Sequence, residues 1–218
     1  MARSTSFRAD LTAYLGTRIL TLRVLALWLL VGTAVMLVAG AGGTSRTGLA
    51  GAVVIAGLLV VQLRLWDDLA DRSHDRSRSP ERVLVGTRHA AAFAVLVLAA
   101  AVLPGTWLLV HGSLQALSVY LLLLGSLGLL YHSRAGAALT RPVRTCLLLV
   151  KYPIIVLIVA TSVRREPLPW WPAIGLYGLL LAHEWLDDRE LRSGATLPAV
   201  AVCWVLGAAL IWVVFRIA

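Results

Sequence analysis

Charge is scarce in this chain. Acidic and basic residues make up 14% of its 218 residues, where a soluble domain carries about a quarter. Too few polar side chains are present to cover a water-facing surface. Cysteine is scarcer still: Cys146 and Cys203 are the only two, both within apolar runs, so no disulfide framework substitutes for a core. Prolines number eight against a hydrophobic content of 59%, and mean hydropathy is +0.83. Those figures exclude a disordered chain. Lysine is nearly absent, Lys151 being the one lysine among twenty basic residues. The arginine- and alanine-rich usage suits a high-GC bacterial genome. What is present in quantity is apolar sequence, and the composition is that of an integral membrane protein.

Charge-poor runs occur at Ile19–Val38, Leu49–Leu65, Val83–Leu103, Leu114–Tyr131, Cys146–Val163, Pro167–Leu186 and Leu197–Ile217. A helix crosses the hydrocarbon core with about 20 apolar residues. His89–Ser133 holds no Asp, Glu, Lys or Arg over 45 residues, which at about 1.5 Å per residue is roughly twice the membrane. It is read as two crossings, broken at Pro104-Gly105 or near Gly112. The expectation is therefore an all-α, polytopic bundle of seven transmembrane helices forming a single domain over residues 1–218. The first apolar run starts well inside the chain and is too long for a cleavable signal peptide.

The net charge of +9 does not point to nucleic acid, which needs a soluble basic face; it sets topology instead. Fourteen arginines fall on one expected side: Arg3, Arg8, Arg18 and Arg23 near the N-terminus, and Arg72, Arg76, Arg78, Arg82 and Arg88 after the second run. Arg134, Arg141 and Arg144 follow the fourth, and Arg189 and Arg192 the sixth. Four lie on the other side: Arg46, Arg164, Arg165 and Arg216. The positive-inside rule places the N-terminus in the cytoplasm, and seven crossings place the C-terminus outside.

The acids are distributed differently. Of eleven carboxylates, nine lie in two short stretches: Asp67, Asp68, Asp71, Asp75 and Glu81, then Glu184, Asp187, Asp188 and Glu190. Both follow even-numbered helices and emerge on the expected cytoplasmic face. Topology does not explain this, because acids contribute little to it. At about 100° per residue, Asp71 and Asp75 fall at about −60° and −20° from Asp68, and Arg64 at about −40°. A continuous helix would carry them on one narrow stripe. Ionised acids near the bilayer are costly, and a divalent cation removes that cost; Mg²⁺ takes one or two carboxylates with substrate phosphates. The bland alternative is a solvated loop with local pairs, Asp71-Arg72 and Asp75-Arg76. For the second stretch it is a helix end capped by its own acids beside Arg189.

These two stretches resemble the signature motifs of the UbiA superfamily of intramembrane prenyltransferases. The family's first motif, NDxxDxxxD with a preceding arginine, is matched by Arg64, Asp68, Asp71 and Asp75, with Asp67 in place of Asn, and Pro80-Glu81-Arg82 follows as in the family. The second motif, DxxxD, corresponds to Glu184 through Asp188, with Glu in the first place. Gly194-Ala195-Thr196-Leu197-Pro198 is similar to a downstream family segment but one residue shorter. That deletion leaves Asp187 or Glu190 as alternatives to Asp188. The family typically has nine helices, so the last pair is missing here, and a second copy of the chain is one way to close the bundle.

The resemblance implies Mg²⁺-dependent transfer of a prenyl group from a polyprenyl diphosphate to an aromatic or other lipophilic acceptor, in the cell membrane. It implies Asp68, Asp71, Asp75 and Asp188 as catalytic carboxylates. Asp67, Asp68, Asp71, Asp75, Glu184, Asp187 and Asp188 are implied around the metal. Arg64, Arg82, Arg141, Arg144 and Lys151 are the candidate diphosphate clamps. Lys151 has a second reading, snorkelling to headgroups. Trp66, Tyr131, Tyr152, Tyr177 and Trp185 are either cation-stabilising faces or an interfacial belt, and Trp170-Trp171 read as belt. Two further functions stay open: an intramembrane terpene cyclase, and a non-catalytic scaffold favoured by the missing helices. His183-Glu184 begins like a zinc-protease motif, but Asp187 stands where its second His belongs.

Overall fold

The computed structural model describes residues 6–40, 44–111, 114–163, 169–187 and 197–217, and they are helical with no strand among them. A short helix α1 (Phe7–Tyr14) passes into a π-helical turn (Leu15–Ile19). The bundle follows as α2 (Leu22–Gly40), α3 (Arg46–Ala70), two short helices α4 (Arg72–Arg78) and α5 (Val83–Gly86), then α6 (Ala90–His111) and α7 (Leu114–His132). After α8 (Arg134–Ala138) come α9 (Arg141–Leu149), α10 (Lys151–Val163), α11 (Trp171–Asp187) and α12 (Leu197–Ile217). Serines start three of these: Ser6, Ser45 and Ser133 accept bonds from the backbone N–H three residues on, satisfying donors a helix leaves open at its first turn.

Five helical segments are long and apolar enough to cross a membrane: Leu22–Gly40, Arg46–Ala70, Ala90–His111, Leu114–His132 and Arg141–Val163. They correspond to the first five expected crossings. The sixth expected crossing is α11, with 17 residues, about 25 Å against a hydrocarbon core of about 30 Å. The seventh is α12, 21 residues with a described apolar stretch at Trp204–Val213.

The uncharged stretch divides between His111 and Leu114, the Gly112 alternative, while Pro104 sits inside α6. Proline is tolerated in a membrane helix where neighbours satisfy the disturbed backbone, and the Tyr120 hydroxyl donates to the Ala101 carbonyl at 3.1 Å. Between α9 and α10 the helix does break. Pro153 has no N–H to give the Leu149 carbonyl, and α9 ends at Leu149.

Helix α10 is the axis of the bundle. It packs against α2, α3, α6, α7, α9, α11 and α12, and Ile155 to Ala160 are fully enclosed. A helix that is apolar on every side belongs in such a position. The N-terminal segment, whose arginines read as topology signals, packs onto the bundle. Phe7, Tyr14 and Ile19 pack with Leu65, Leu84 and Phe93 into a second core, where the Phe7 and Tyr14 rings meet Phe93 edge-on at 5.3 and 5.6 Å.

Helices α2 and α3 approach closely where Gly57 faces Trp28, whose Nε1 donates to the Val53 carbonyl at 3.3 Å. A Cβ at Gly57 would lie 2.3 Å from Trp28 Nε1, whereas one at Gly51 meets nothing within 4 Å. Gly57→Ala is therefore expected to destabilise by about 1–3 kcal/mol through overpacking. Gly51→Ala should be neutral or stabilising from helix propensity. Thermal unfolding of the two detergent-solubilised variants checks the difference in sign.

Candidate functional site

The first acidic stretch lies at the end of α3 and runs on into α4. The chain bends at Asp71 (φ −81°, ψ 0°), between α3 and α4. Backbone bonds from Asp71 N to Asp67 O (2.9 Å) and from Asp75 N to Asp71 O (2.8 Å) carry the helical turn through the bend. Each carboxylate then meets a cation from a different element. Asp67 receives Lys151 Nζ at 2.5 and 2.6 Å and a bond from the Tyr131 hydroxyl. Asp68 receives Arg18 through Nε (3.1 Å) and Nη2 (2.5 Å), the Tyr14 hydroxyl (3.0 Å) and Arg64 Nη2 (3.4 Å). Asp71 faces Arg144 Nη2 at 3.6 Å, and Asp75 accepts from Arg82. The local pairs Asp71-Arg72 and Asp75-Arg76 do not occur among the described residues. Arg72 instead donates to the Thr87 carbonyl at 3.1 Å.

Burial makes these pairs matter. The side chains of Lys151 and Asp67 are 3% and 15% exposed, so Lys151 neither snorkels to the surface nor stands free as a clamp. It neutralises Asp67. Asp68 and Asp75 are buried, while the Asp71 side chain is 48% exposed and loosely held. Partial burial pushes the Asp71 carboxyl above its usual range, countered by Arg144 and reinforced by Asp67 and Asp75. Burial, and then the negative charge of Asp68, pushes the Tyr14 hydroxyl upward, which keeps it a neutral donor. The bond to Asp68 raises Arg18 in turn.

The second stretch is described as far as Asp187; Asp188 and Glu190 lie outside the described residues. Glu184 and Asp187 end α11, and Asp187 faces Arg23 across an exposed 3.8 Å contact. Together they open onto a cavity of about 560 Å³ that is also lined by Arg18, Arg23, Arg64, Tyr152 and His183. Its deeper walls are leucines, among them Leu27, Leu30, Leu149 and Leu180. Glu184 and Asp187 of the second stretch thus line the chamber directly, whereas the first stretch borders it through Arg18 and Arg64, the two arginines that Asp68 holds.

Other expected residues are placed less centrally. Arg82 and Arg144 are engaged by Asp75 and Asp71, and Arg141 is exposed at the start of α9. Tyr177 lies in the core rather than at the mouth, its hydroxyl donating to the Cys146 carbonyl at 3.2 Å. Trp66 lies tilted against Tyr131 and stacks with His132, to whose Nε2 it donates at 3.4 Å. Trp170 and Trp171 are exposed at the opposite end of α11 from Glu184, as a belt requires.

Four residues that sequence reasoning did not single out belong to this region. Tyr14 and Arg18 grip Asp68. Behind them, buried Asp10 accepts from the Thr87 hydroxyl at 2.5 Å, fixing α1 against α5. The signal was present: Phe7, Leu11 and Tyr14 recur at helical spacing after a Ser6 cap, the pattern of a helix with one face to pack.

No group of three or more His, Cys, Asp or Glu side chains able to hold a metal occurs among the described residues. Mg²⁺ asks less of a protein, one or two carboxylates completed by phosphate oxygens and water. By donor chemistry Glu184, at the chamber, and Asp71, outside its lining, fit that need, since among the described residues no cation closes either at hydrogen-bond distance. Asp67, Asp68 and Asp75 are so closed. Comparison with protein-family models, curated proteins and solved structures found no match to this chain.

The buried pair yields a direct test. Lys151→Met leaves Asp67 charged and buried without its partner, and is expected to cost about 3–5 kcal/mol. Adding Asp67→Asn should restore most of the loss. Denaturant unfolding in detergent for the two singles and the double measures the coupling; a fully stable Lys151→Met protein would show that the pair carries none.

Proposed function

We propose that this chain is an intramembrane prenyltransferase, moving a prenyl group from a polyprenyl diphosphate to an aromatic or other lipophilic acceptor with Mg²⁺. The observation that carries this reading is the chamber that Glu184 and Asp187 line and that Arg18 and Arg64, held by Asp68, enter from the other side. It has arginines and carboxylates at its mouth and leucines within, the polarity of an anionic head joined to an isoprenoid tail. In this reading the chain crosses the membrane seven times, α11 and α12 supplying the last two, and the chamber opens to the cytoplasm with the arginine-rich loops.

The chemistry follows from these side chains. Arg18, Arg23 and Arg64 bind the diphosphate oxygens and stabilise the charge that grows as the allylic C–O bond breaks. The diphosphate leaves with the bonding electron pair. The allylic carbon then joins a nucleophilic carbon of the acceptor, which gives up a proton. Mg²⁺, held by Asp71 and Glu184, would supply further neutralisation of the leaving group. Tyr152 and the leucine walls exclude water, and the ring face of Tyr152 attracts the developing positive charge, worth about 0.5–2 kcal/mol.

A second reading has its own observation. Every acid of the first motif already faces a protein cation, which is also how a non-catalytic scaffold would use them, as staples between helices. The decisive measurement is release of inorganic pyrophosphate by purified protein from a panel of allylic diphosphates, with and without Mg²⁺. The expected result is Mg²⁺-dependent release with transfer to an added lipophilic acceptor, reduced at least about a hundredfold in Asp71→Asn. No release from any diphosphate would favour the scaffold. A cyclised hydrocarbon or alcohol as product would identify a terpene cyclase.

A further inference from the structure

One wall of the chamber comes from the segment that precedes the bundle. Residues 7–19 form α1 and the π-helical turn, and Thr17 and Arg18 of that turn line the chamber. The π-type bond runs from the Leu20 N–H to the Leu15 carbonyl at 2.7 Å, a distortion frequent at functional sites. At Leu20 (φ −81°, ψ 45°) the chain leaves the helical path, and α2 starts at Leu22. Leu20 and Leu22 are 79% and 81% exposed, so packing does not fix this bend. Three contacts further along hold the segment instead: the Phe7 and Tyr14 rings on Phe93, the Thr87–Asp10 bond, and the grip of Tyr14 and Arg18 on Asp68. Of these residues only Arg18 lines the chamber. Asp10 and Thr87 are buried away from it, and the Thr87 hydroxyl, which donates to Asp10 at 2.5 Å, accepts the His89 N–H at 3.0 Å. The Thr87 carbonyl takes Arg72 at 3.1 Å. Asp68 occupies the Nε and Nη2 side of Arg18, which leaves the N–H donors of Nη1 for an anion.

We infer that Asp10 and Thr87 are positioning residues for anion binding: they dock residues 7–19 from outside the chamber, and docking is linked to occupation of the chamber by pyrophosphate. The inference rests on the diphosphate-binding part of the prenyl-transfer reading. An undocked segment takes Thr17 and Arg18 away from the chamber. In the docked segment Asp68 has already oriented the guanidinium, so phosphate oxygens meet a fork fixed in advance. Carboxylate and phosphate use different edges of that group and do not compete. An anion bonded to Arg18 therefore favours the docked state. By reciprocity, whatever loosens docking weakens the anion by the same factor.

The test uses the full chain in detergent: pyrophosphate binding by titration calorimetry, and amide hydrogen exchange over residues 7–19 with and without pyrophosphate. Thr87→Val keeps the side-chain shape and removes the hydroxyl, Thr87→Ser keeps the hydroxyl, and Phe7→Ala loosens the segment through its ring contact instead. Pyrophosphate is expected to slow exchange over residues 7–19 of wild type. Thr87→Val and Phe7→Ala should each weaken its binding by at least about fivefold, within the usual span of such couplings, while Thr87→Ser binds as wild type does. A bond with a purely structural role would lower the unfolding temperature of Thr87→Val and leave affinity and exchange response unchanged; that result overturns the inference. Should Thr87→Val fail to fold, Phe7→Ala and the wild-type exchange decide alone. Pyrophosphate release from allylic diphosphates, measured on the same preparations, separates the two readings. Turnover without linkage sinks this inference alone, and linkage without turnover sinks the transferase reading alone. A wild-type chain that binds no pyrophosphate sinks both.

Discussion

An ionised carboxylate at the edge of a hydrocarbon layer has to be neutralised, and the architecture of this protein at one end follows from that requirement. Four aspartates lie within nine residues at the end of α3. The helix cannot supply four cations of its own, so they come from elsewhere: Lys151 from α10, Arg18 from the N-terminal segment, Arg144 from α9 and Arg82 from the turn before α5. The acids therefore bind the surrounding elements to α3. Energetically such pairs contribute little net stability when intact, and much is lost when one partner is removed. Their main effect is to specify arrangement.

The same pairing gathers positive charge where an anionic head could use it. Arg18 and Arg64 are both oriented by Asp68, and both line the chamber that Glu184 and Asp187 enter from α11. In the proposed reaction, Asp68 is a positioning residue for the arginines. Asp71, half-exposed and loosely held, is the acid with capacity to spare. This divides the first motif by environment rather than by residue type. Four aspartates of the same chemistry acquire different tasks because their neighbours differ.

Much of the fold was legible in the chain. Apolar runs located the helices, since a membrane leaves the backbone no alternative to internal hydrogen bonding. The uncharged stretch had to turn once, and only the choice between Pro104 and Gly112 needed the structure. Proline is the stronger breaker by its chemistry, yet α6 runs through Pro104, with the Tyr120 hydroxyl on the nearby Ala101 carbonyl. Periodicity grouped the acids of the first stretch, but it could not say which element supplies the cation that each one meets. The N-terminal arginines were read for topology alone, which concealed that Phe7, Leu11 and Tyr14 form an apolar face and that Arg18 reaches Asp68.

What the amino-acid order determined by itself was the medium, the helical class and the clustering of acids, all of which depend on composition and local spacing. Tertiary structure decided which cation each acid meets, that Lys151 serves Asp67, and that Arg18, Arg64 and the end of α11 border one chamber. Those are relations between residues fifty to a hundred or more positions apart. Local periodicity carries no information across such separations; only the packing of helices around α10 brings them within reach.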